Sequence, residues 1–583
     1  MKVLIAALLF ALMPAASIAQ TYTDLHHFNC DTEGCNPRFP AQLAQGRDGN
    51  LYGMMPKGGM FNLGTFFKVT TRGIVSVPHM FDGNDGNGFT PRSGLTLGTD
   101  GLFYGTTLNG GQSAGTIVKI RPSGTIDTLY GFTGQEGTSC TASDKPDGGY
   151  PYAPPVLGTS GYYYGMTSLG TSYRISSSGN FKVLCSLVSP SVLIPFGGLS
   201  PVVQATHGYF YGTSSSESGA VFRFSPSGAA KIVHTFIPSE GSAPKGPVVQ
   251  ASDGNLYGTT ASGGPLGSGS GVVYKLSLSG KLTVTHAFDR ISKFAEGYRA
   301  YAGLLEATDG FLYGSTQYGG DPNCGPGGNG CGVLFKITKS GNYTVLHTFH
   351  SAEPGQPQAT QIQHTNGKIY GLLNGPNFSD GGAIYSLDVG LEPFVKLMTR
   401  SGKAGQTVQL LGQSLLGATQ VKFGTGSASF EVVSDKFLTA SVPLRGTTGS
   451  VTVTTPSGTL TSSNTFKVIP TLTSFDPVSG PVGSQVVIYG TGLTQTTKVT
   501  FGGVSATTFA VASNLLMRVT ATVPAGAANG KIAITTPGGV ATSSGTFAVL
   551  SGQCAGYGAQ CPPWITCCAG LECRSASLRR FCL

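Results

Sequence analysis

Apolar and polar residues alternate along this chain in short runs, and glycine-containing dipeptides close the runs. The clearest stretch reads PVVQASDG (247–254), NLYGTTASGG (255–264), GVVYKLSLSG (271–280) and KLTVTHAF (281–288). Period-two alternation rich in β-branched and aromatic residues predicts four strands there. The dipeptide between the first two runs recurs as Asp48-Gly49, Asp100-Gly101, Ser160-Gly161, His207-Gly208, Asp253-Gly254, Asp309-Gly310 and Asn366-Gly367. A second set joins the third and fourth runs: Arg72-Gly73, Ser123-Gly124, Ser178-Gly179, Ser227-Gly228, Ser279-Gly280 and Ser340-Gly341. Such dipeptides supply the positive φ that tight antiparallel hairpins need. Behind each first turn stands Tyr-Gly, with the tyrosine at 52, 104, 164, 211, 257, 313 and 370. Seven copies of a four-strand unit predict an all-β chain whose first part is a seven-bladed β-propeller.

The seventh copy runs through 382–387 and stops before a fourth strand. Residues 22–28 (YTDLHHF) match 343–349 (YTVLHTF), which predicts that the N-terminal segment completes the last blade and removes two open sheet edges. The phrase DGNLYGTT…GG…GVVYKL…SG…TVTHAF resembles the GloVer-type tandem repeat of bacterial secreted proteins over residues 20–390. That resemblance implies the propeller and brings no assigned activity.

Residues 1–19 read as a secretory signal: Lys2, an apolar run over 3–12, and Ser17-Ile18-Ala19 as a small-residue cleavage site. No later run is long and apolar enough to span a bilayer, so a soluble protein, secreted or associated with the cell surface, is expected. Twelve cysteines, an even number, suit an oxidising exterior. Charged residues are only 11% and the net charge of +9 contains no basic run, so nucleic-acid binding gains no support.

After the repeat, Ser/Thr/Val/Gly-rich alternation begins. The opening Pro470-Thr-Leu-Thr-Ser-Phe-Asp-Pro-Val-Ser-Gly-Pro-Val-Gly-Ser484, followed by VVIYGTGL and VTFGG, resembles an immunoglobulin-like IPT/TIG domain and assigns 470–550 to it. Residues 391–469 match through AGQTVQLLGQSL, VKFGTG and GSVTVTTPSG but lack the Pro-x-Ser-Gly-Pro opening. Both resemblances imply small β-sandwiches of the kind that serve as spacers or adhesive units. Residues 551–583 hold Cys554, Cys561, Cys567, Cys568, Cys573 and Cys582. So short a segment needs covalent staples, and six cysteines allow 15 connectivities. The adjacent pair at this spacing resembles inhibitor-cystine-knot modules, which implies Cys554–Cys568, Cys561–Cys573 and Cys567–Cys582. Gly552-Gln553-Cys554 and Cys582-Leu583 also resemble fungal-type cellulose-binding modules. The six cysteines and the spacing of Tyr557, Trp564 and Phe581 depart from that family.

Propeller geometry places the loops after strands two and four on one face and the tight turns on the other. The long loops 29–42, 82–94, 133–155, 265–271, 289–302 and 319–332 all fall on the first, which is the expected functional face. Cys30–Cys35, Cys324–Cys331 and Cys140–Cys185 are the expected staples. Glu33, Asp85, Asp147, Glu240, Glu296 and Glu353 recur in the blade-to-blade loops. They would either form a carboxylate ring for cationic groups or accept hydrogen bonds from their own loop backbones, and the repetition favours the second. Asp82, Asn84, Asp85 and Asn87 form a weak Ca²⁺ candidate without the distal Glu of an EF-hand, so no cofactor beyond a possible Ca²⁺ is expected. His26, His79, His234, His286 and His347 share one fourth-strand position on the rim, too far apart to hold one metal and suited to hydrogen bonds within each blade. Lys68, Lys119, Arg174, Arg223, Lys275 and Lys336 share a third-strand position, where their stems would lie over apolar neighbours. Trp564, with Tyr557 and Phe581, is the candidate sugar-stacking set of the tip.

No His-Glu-x-x-His or phosphate loop occurs, and no catalytic residue is assigned. The expectation is a monomeric, non-enzymatic binding or adhesion protein that recognises an extracellular polysaccharide or a surface protein through the propeller loops and the knot. The alternatives are a polysaccharide-active propeller hydrolase or lyase with the knot as targeting module, and a structural component of the cell envelope.

Overall fold

A computed structural model of the chain describes residues 20–37, 41–84, 86–135, 146–186, 188–189, 192–193, 200–215, 218–266, 269–375, 381–512, 518–550, 573–576 and 579–582. Its first part holds seven four-stranded antiparallel sheets, taken here as blades one to seven. Blade five is typical: Val249–Gln250, Leu256–Thr259, Val272–Leu276 and Leu282–Ala287 pair in chain order. Blade seven differs. Ile362–Gln363, Ile369–Leu373 and Ala383–Asp388 pair in order, and the fourth strand is Thr21–His27.

The first strands of neighbouring blades come into backbone contact, which puts them at the ring's centre. Gln42 bridges Thr360, Leu95 N–H donates to Gln42 O at 3.3 Å, and Gly303 N–H donates to Thr360 Oγ1 at 3.1 Å. The ring closes through an apolar seam in which Leu43, Leu51 and Phe67 of blade one pack with Ile362, Tyr370 and Leu372 of blade seven. Sheets stacked face to face around an axis, with the last on the first, are the arrangement of a β-propeller.

The repeated Tyr-Gly-Thr phrase now has a reason for each letter. Every tyrosine is buried and its hydroxyl meets the side chain four residues before it, in the turn: Tyr52–Asp48 (2.8 Å), Tyr104–Asp100 (2.7 Å), Tyr164–Ser160 (3.0 Å), Tyr211–His207 (3.0 Å), Tyr257–Asp253 (2.9 Å), Tyr313–Asp309 (2.8 Å) and Tyr370–Asn366 (2.9 Å). The glycine faces an aromatic ring of the third strand: Phe67, Tyr173, Phe222, Tyr274, Phe335 and Tyr385 lie where a Cβ would stand. In blade two that strand has Val118 instead, and Met54 of blade one fills the space. In blades two, four and five, where threonine follows the glycine, it ties the blade to the next. Thr106 donates to Pro151 O (3.0 Å), Thr213 to Gly246 O (3.0 Å) and Thr259 to Ala302 O (2.8 Å).

A second clip escaped the sequence reading. The residue ending the first strand accepts a turn N–H of the preceding blade: Gln204 from Thr159 (2.8 Å), Gln250 from Thr206 (2.8 Å), Glu306 from Ser252 (2.9 Å) and Gln363 from Thr308 (3.0 Å). Gln45 does the same to Thr365 across the closure (3.1 Å). Replacing Tyr257 by Phe leaves the packing and removes the bond to Asp253, so a loss of about 1–2 kcal/mol in urea unfolding is expected. An unchanged midpoint would mean the hydroxyl is dispensable.

Residues 395–468 form two facing sheets around Val408, Leu410, Val421, Phe423, Leu438, Val453 and Phe466. Residues 471–550 repeat the arrangement around Val486, Ile488, Val499, Phe501, Val519, Ile534 and Phe547. Alternating burial along Val451–Thr455 and Gln485–Thr491 shows one face inside and one outside. Near the C-terminus, Cys573–Ala576 pairs with Arg579–Cys582 as an antiparallel hairpin. The other cysteines of the expected knot, with Tyr557 and Trp564, lie outside the described residues, as does the Phe581 side chain.

Candidate functional site

The two faces of the ring meet different fates. On the turn face, the first sandwich is bound to blades on opposite sides of the axis. Arg47 of blade one lies over Phe437 (4.4 Å to the ring centre) and donates to Gln409 Oε1 (2.9 Å). Gln409 donates to Thr99 O of blade two (2.7 Å), Lys467 to Thr206 O of blade four (3.1 Å), and Gln413 to Thr365 Oγ1 of blade seven (2.8 Å). Contacts with blades one, two, four and seven require the sandwich to straddle the axis. Burial and the neighbouring Arg400 lower the Lys396 ammonium to about 8 in this seat.

The opposite, loop face carries the long connections. Cys30–Cys35 and Cys324–Cys331 are bonded there. Cys185 is also in a disulfide, and its expected partner Cys140 lies outside the described residues.

The acidic residues and the histidines, read separately in the sequence, belong to one device. His26 Nε2 meets Glu33 at 2.8 Å, His234 meets Glu240 at 2.9 Å, His286 meets Glu296 at 3.4 Å and His347 meets Glu353 at 3.1 Å. Loop backbone N–H groups of Asn29 (2.8 Å) and His350 (3.2 Å) add to Glu33 and Glu353. In blade two the same register position holds Tyr130, whose hydroxyl donates to Asp147 at 2.9 Å, beside Thr133 N–H at 2.9 Å. In blade three it holds Cys185. In blades two, four, five, six and seven this fourth-strand position thus anchors the loop that follows it through a carboxylate contact, whereas in blade three it carries a disulfide-bonded cysteine. Burial, then Lys293, pushes the His286 imidazole down to about 4, and burial also lowers His347. Asp85 lies outside the described residues. Of the Ca²⁺ candidates, Asp82 accepts Asn84 N–H (2.9 Å) and Asn87 Oδ1 accepts the Thr128 hydroxyl (3.0 Å). Among the described residues no group of three or more His, Cys, Asp and Glu is placed to hold a metal ion.

The third-strand cations sit beside the turns. Lys68 pairs with Asp48 and Lys275 with Asp253, both at 2.9 Å, while Arg174, Arg223 and Lys336 lie over Tyr162, Tyr209 and Phe311. Lys119 donates to Ser177 O at 3.3 Å. Burial alone would raise the Asp253 carboxyl, but Lys275, Asn255 and Tyr257 hold it down to about 2.

A different set of residues, not singled out in the sequence, gathers at the loop-face mouth of the ring. In six blade junctions a non-glycine residue takes a left-handed conformation just before the innermost strand: Asn36 (φ 65°), Thr90 (56°), Tyr150 (55°), Ala243 (53°), Arg299 (57°) and Gln356 (57°). Proline follows five of them, and two positions after the left-handed residue Arg92, Tyr152, Lys245 and Tyr301 are at least partly exposed between buried neighbours, whereas Gln358 is buried. Adjacent members touch, Arg92 over Tyr152 at 5.9 Å and Lys245 over Tyr301 at 4.7 Å, and Arg299 lies over Tyr318 at 5.8 Å. The available signal was the spacing from each projecting residue to the Tyr-Gly; without the left-handed backbone it read as loop.

The Gloeobacter/Verrucomicrobia repeat matches residues 8–168 and 134–327, together more than half of the chain. The chain belongs to the Gloeobacter/Verrucomicrobia repeat family. Within this repeat protein the IPT/TIG domain matches residues 470–549. No curated protein matches the chain. Similar solved structures include a fungal alcohol oxidase of the AA5 family in complex with copper, at 13% identity over 76% of this chain and 100% of that one, TM-score 0.43. Others are SGBP-B from a xyloglucan utilization locus in Bacteroides uniformis (18%, 26% and 48%, TM-score 0.15) and a gluconolactonase from Xanthomonas campestris (11%, 62% and 98%, TM-score 0.32). Likenesses this distant say nothing of the repeat protein's chemistry. No helix among the described residues is long and apolar enough to cross a membrane.

Proposed function

We propose that this repeat protein is a secreted, monomeric, non-enzymatic binding or adhesion protein. In this reading residues 20–390 are one closed seven-bladed propeller that offers its loop face to an extracellular polysaccharide or a surface protein. The sandwiches of 391–469 and 470–550 set its reach, and the cystine knot of 551–583 adds a second contact. Residues 1–19 direct export, and disulfides in the loops suit that destination.

The asymmetry of the two faces supports the reading. The first sandwich occupies the turn face, whereas the described residues of the loop face include exposed apolar side chains: Met60, Phe61, Tyr150, Ile237, Leu266 and Ile291. Exposed apolar groups gathered on one rigid, stapled face mark an interaction surface. The loop carboxylates contribute anchoring, since each described one is held by its own blade.

The test is a glycan array and insoluble-polysaccharide pulldown with the full chain, followed by assay of released sugar. Binding without release is the expected result. Reproducible release, lost when Glu33, Asp147, Glu240, Glu296 or Glu353 is replaced by its amide, would establish the polysaccharide-active enzyme instead. Trp564→Ala reports on the tip: if that aromatic stacks on sugar, affinity should fall about tenfold or more, the loss of roughly 1–3 kcal/mol.

A further inference from the structure

We infer that the loop-face mouth between blades four and six binds a carboxylated sugar unit of an acidic polysaccharide, with Lys245 and Arg299 facing the carboxylate and Tyr301 and Tyr318 stacking on the ring. This rests on the glycan-binding reading and names its ligand class.

Charge is the first support. Elsewhere on the ring Lys68, Lys275, Lys339 and Lys368 pair with Asp48, Asp253, Glu306 and Asp388, while Lys119, Arg174, Arg223 and Lys336 rest singly on a carbonyl or an aromatic ring. Among the described residues, Arg92, Lys245 and Arg299 make no ion pair. Lys245 and Arg299 lie close enough that, after burial, the guanidinium is what lowers the Lys245 ammonium. Two cations held together and partly withdrawn from water are unfavourable unless an anion joins them. The described loop carboxylates Glu33, Asp147, Glu240, Glu296 and Glu353 are held by their own strands.

Shape is the second. Tyr301 and Tyr318 are half-buried rings beside those cations, and Arg299 and Lys245 lie over their faces. Flat aromatic surface beside a fixed cation suits a sugar ring that bears a carboxylate better than it suits a bare inorganic anion.

Rigidity is the third. Arg299 holds a left-handed conformation that costs a non-glycine residue roughly 1 kcal/mol. It is clamped between blades, its N–H donating to Ser270 O (2.9 Å) and its carbonyl accepting Gln317 N–H (3.0 Å). Ala243, two residues before Lys245, is held in the same way by Ser218 O (3.2 Å) and Ala261 N–H (3.1 Å). Side chains on such a frame lose little freedom when a ligand arrives.

Calorimetric titration of the full chain at near-physiological salt tests the assignment with polygalacturonate, its fully methyl-esterified form and dextran sulfate. Polygalacturonate should bind, and esterification should abolish binding. Lys245→Gln with Arg299→Gln should weaken it about tenfold or more, by removing charge-assisted bonds. Lys498→Gln with Lys531→Gln removes the same charge from the distal sandwich and should change nothing. Lys245→Gln alone, with an unchanged melting curve, repeats the test should the double variant fold poorly. Equal effects of the two charge removals, or equal binding of dextran sulfate, would overturn the inference. Binding of neutral polysaccharide alone would overturn it and leave the glycan reading standing. No binding to any polysaccharide would sink both.

Discussion

Removing residues 21–28 should lower the melting temperature of the propeller by about 10 °C or more. The strand Thr21–His27 supplies the whole fourth edge of blade seven, so its loss leaves Ala383–Asp388 with an open edge. It also removes two aromatic anchors. Tyr22 stacks on His347 at 3.8 Å and meets Phe349 edge-on at 5.6 Å, while Phe28 is buried against Phe67 at 5.1 Å. Losing a buried aromatic side chain costs about 3–5 kcal/mol, and each kcal/mol shifts a large domain by roughly 2–4 °C. The seam between blades seven and one loses Phe28 from its centre. Differential scanning calorimetry checks this, with the distal sandwich's transition as internal reference. If the propeller melts unchanged without residues 21–28, ring closure does not depend on that strand.

The fold was legible because its determinants are local. A turn dipeptide, a tyrosine four residues on and a glycine after it are all one hairpin, and the match of residues 22–28 to 343–349 is visible by inspection. Both sandwiches announced themselves through alternation, and the second also through its opening motif at 470–484. The seating of the first sandwich on the turn face was not visible. It depends on Arg47 meeting Gln409 across 362 positions of chain and stacking on Phe437, and on Gln413 reaching Thr365, and none of them stands out locally.

The candidate site was legible only in pieces. Histidines and acids each repeated, but their pairing needs the register that sets His234 beside the loop holding Glu240. Tyr130 and Cys185 occupy the histidine position in blades two and three, and only strand pairing reveals the equivalence. The mouth residues were hidden for a different reason. Their projection follows from left-handed backbone at Thr90, Tyr150, Ala243 and Arg299, where glycine or asparagine would have been the sequence signal.

Acid should weaken the molecule between pH 6.5 and 4, and His364 is the clearest source. Its ring is buried in blade seven, with Nε2–H donating to Gly49 O at 2.9 Å and Nδ1 accepting Asn366 N–H at 3.2 Å. That pattern suits the neutral ring, because a proton on Nδ1 would oppose the Asn366 donor. Burial, helped by Lys396 and Lys436 of the first sandwich, outweighs the two hydrogen bonds and pushes the imidazole down to about 4. An unfolded histidine takes its proton near pH 6.5, so within this window the unfolded chain binds more protons than the folded one. The contribution is therefore complete above pH 6.5 and is lost as the pH falls toward 4. At about 1.4 kcal/mol per pH unit, it amounts to roughly 3 kcal/mol. His286, also held down to about 4, acts in the same direction. Urea unfolding across the window should show the decline, and His364→Gln should flatten part of it while keeping a donor for Gly49 O. If both proteins fall with equal slope, His364 is not the source. Charging this ring also sets a third cation beside Lys396 and Lys436. The seat of the sandwich should then loosen before the blades do, and proteolysis at the junction near residue 390 should accelerate first.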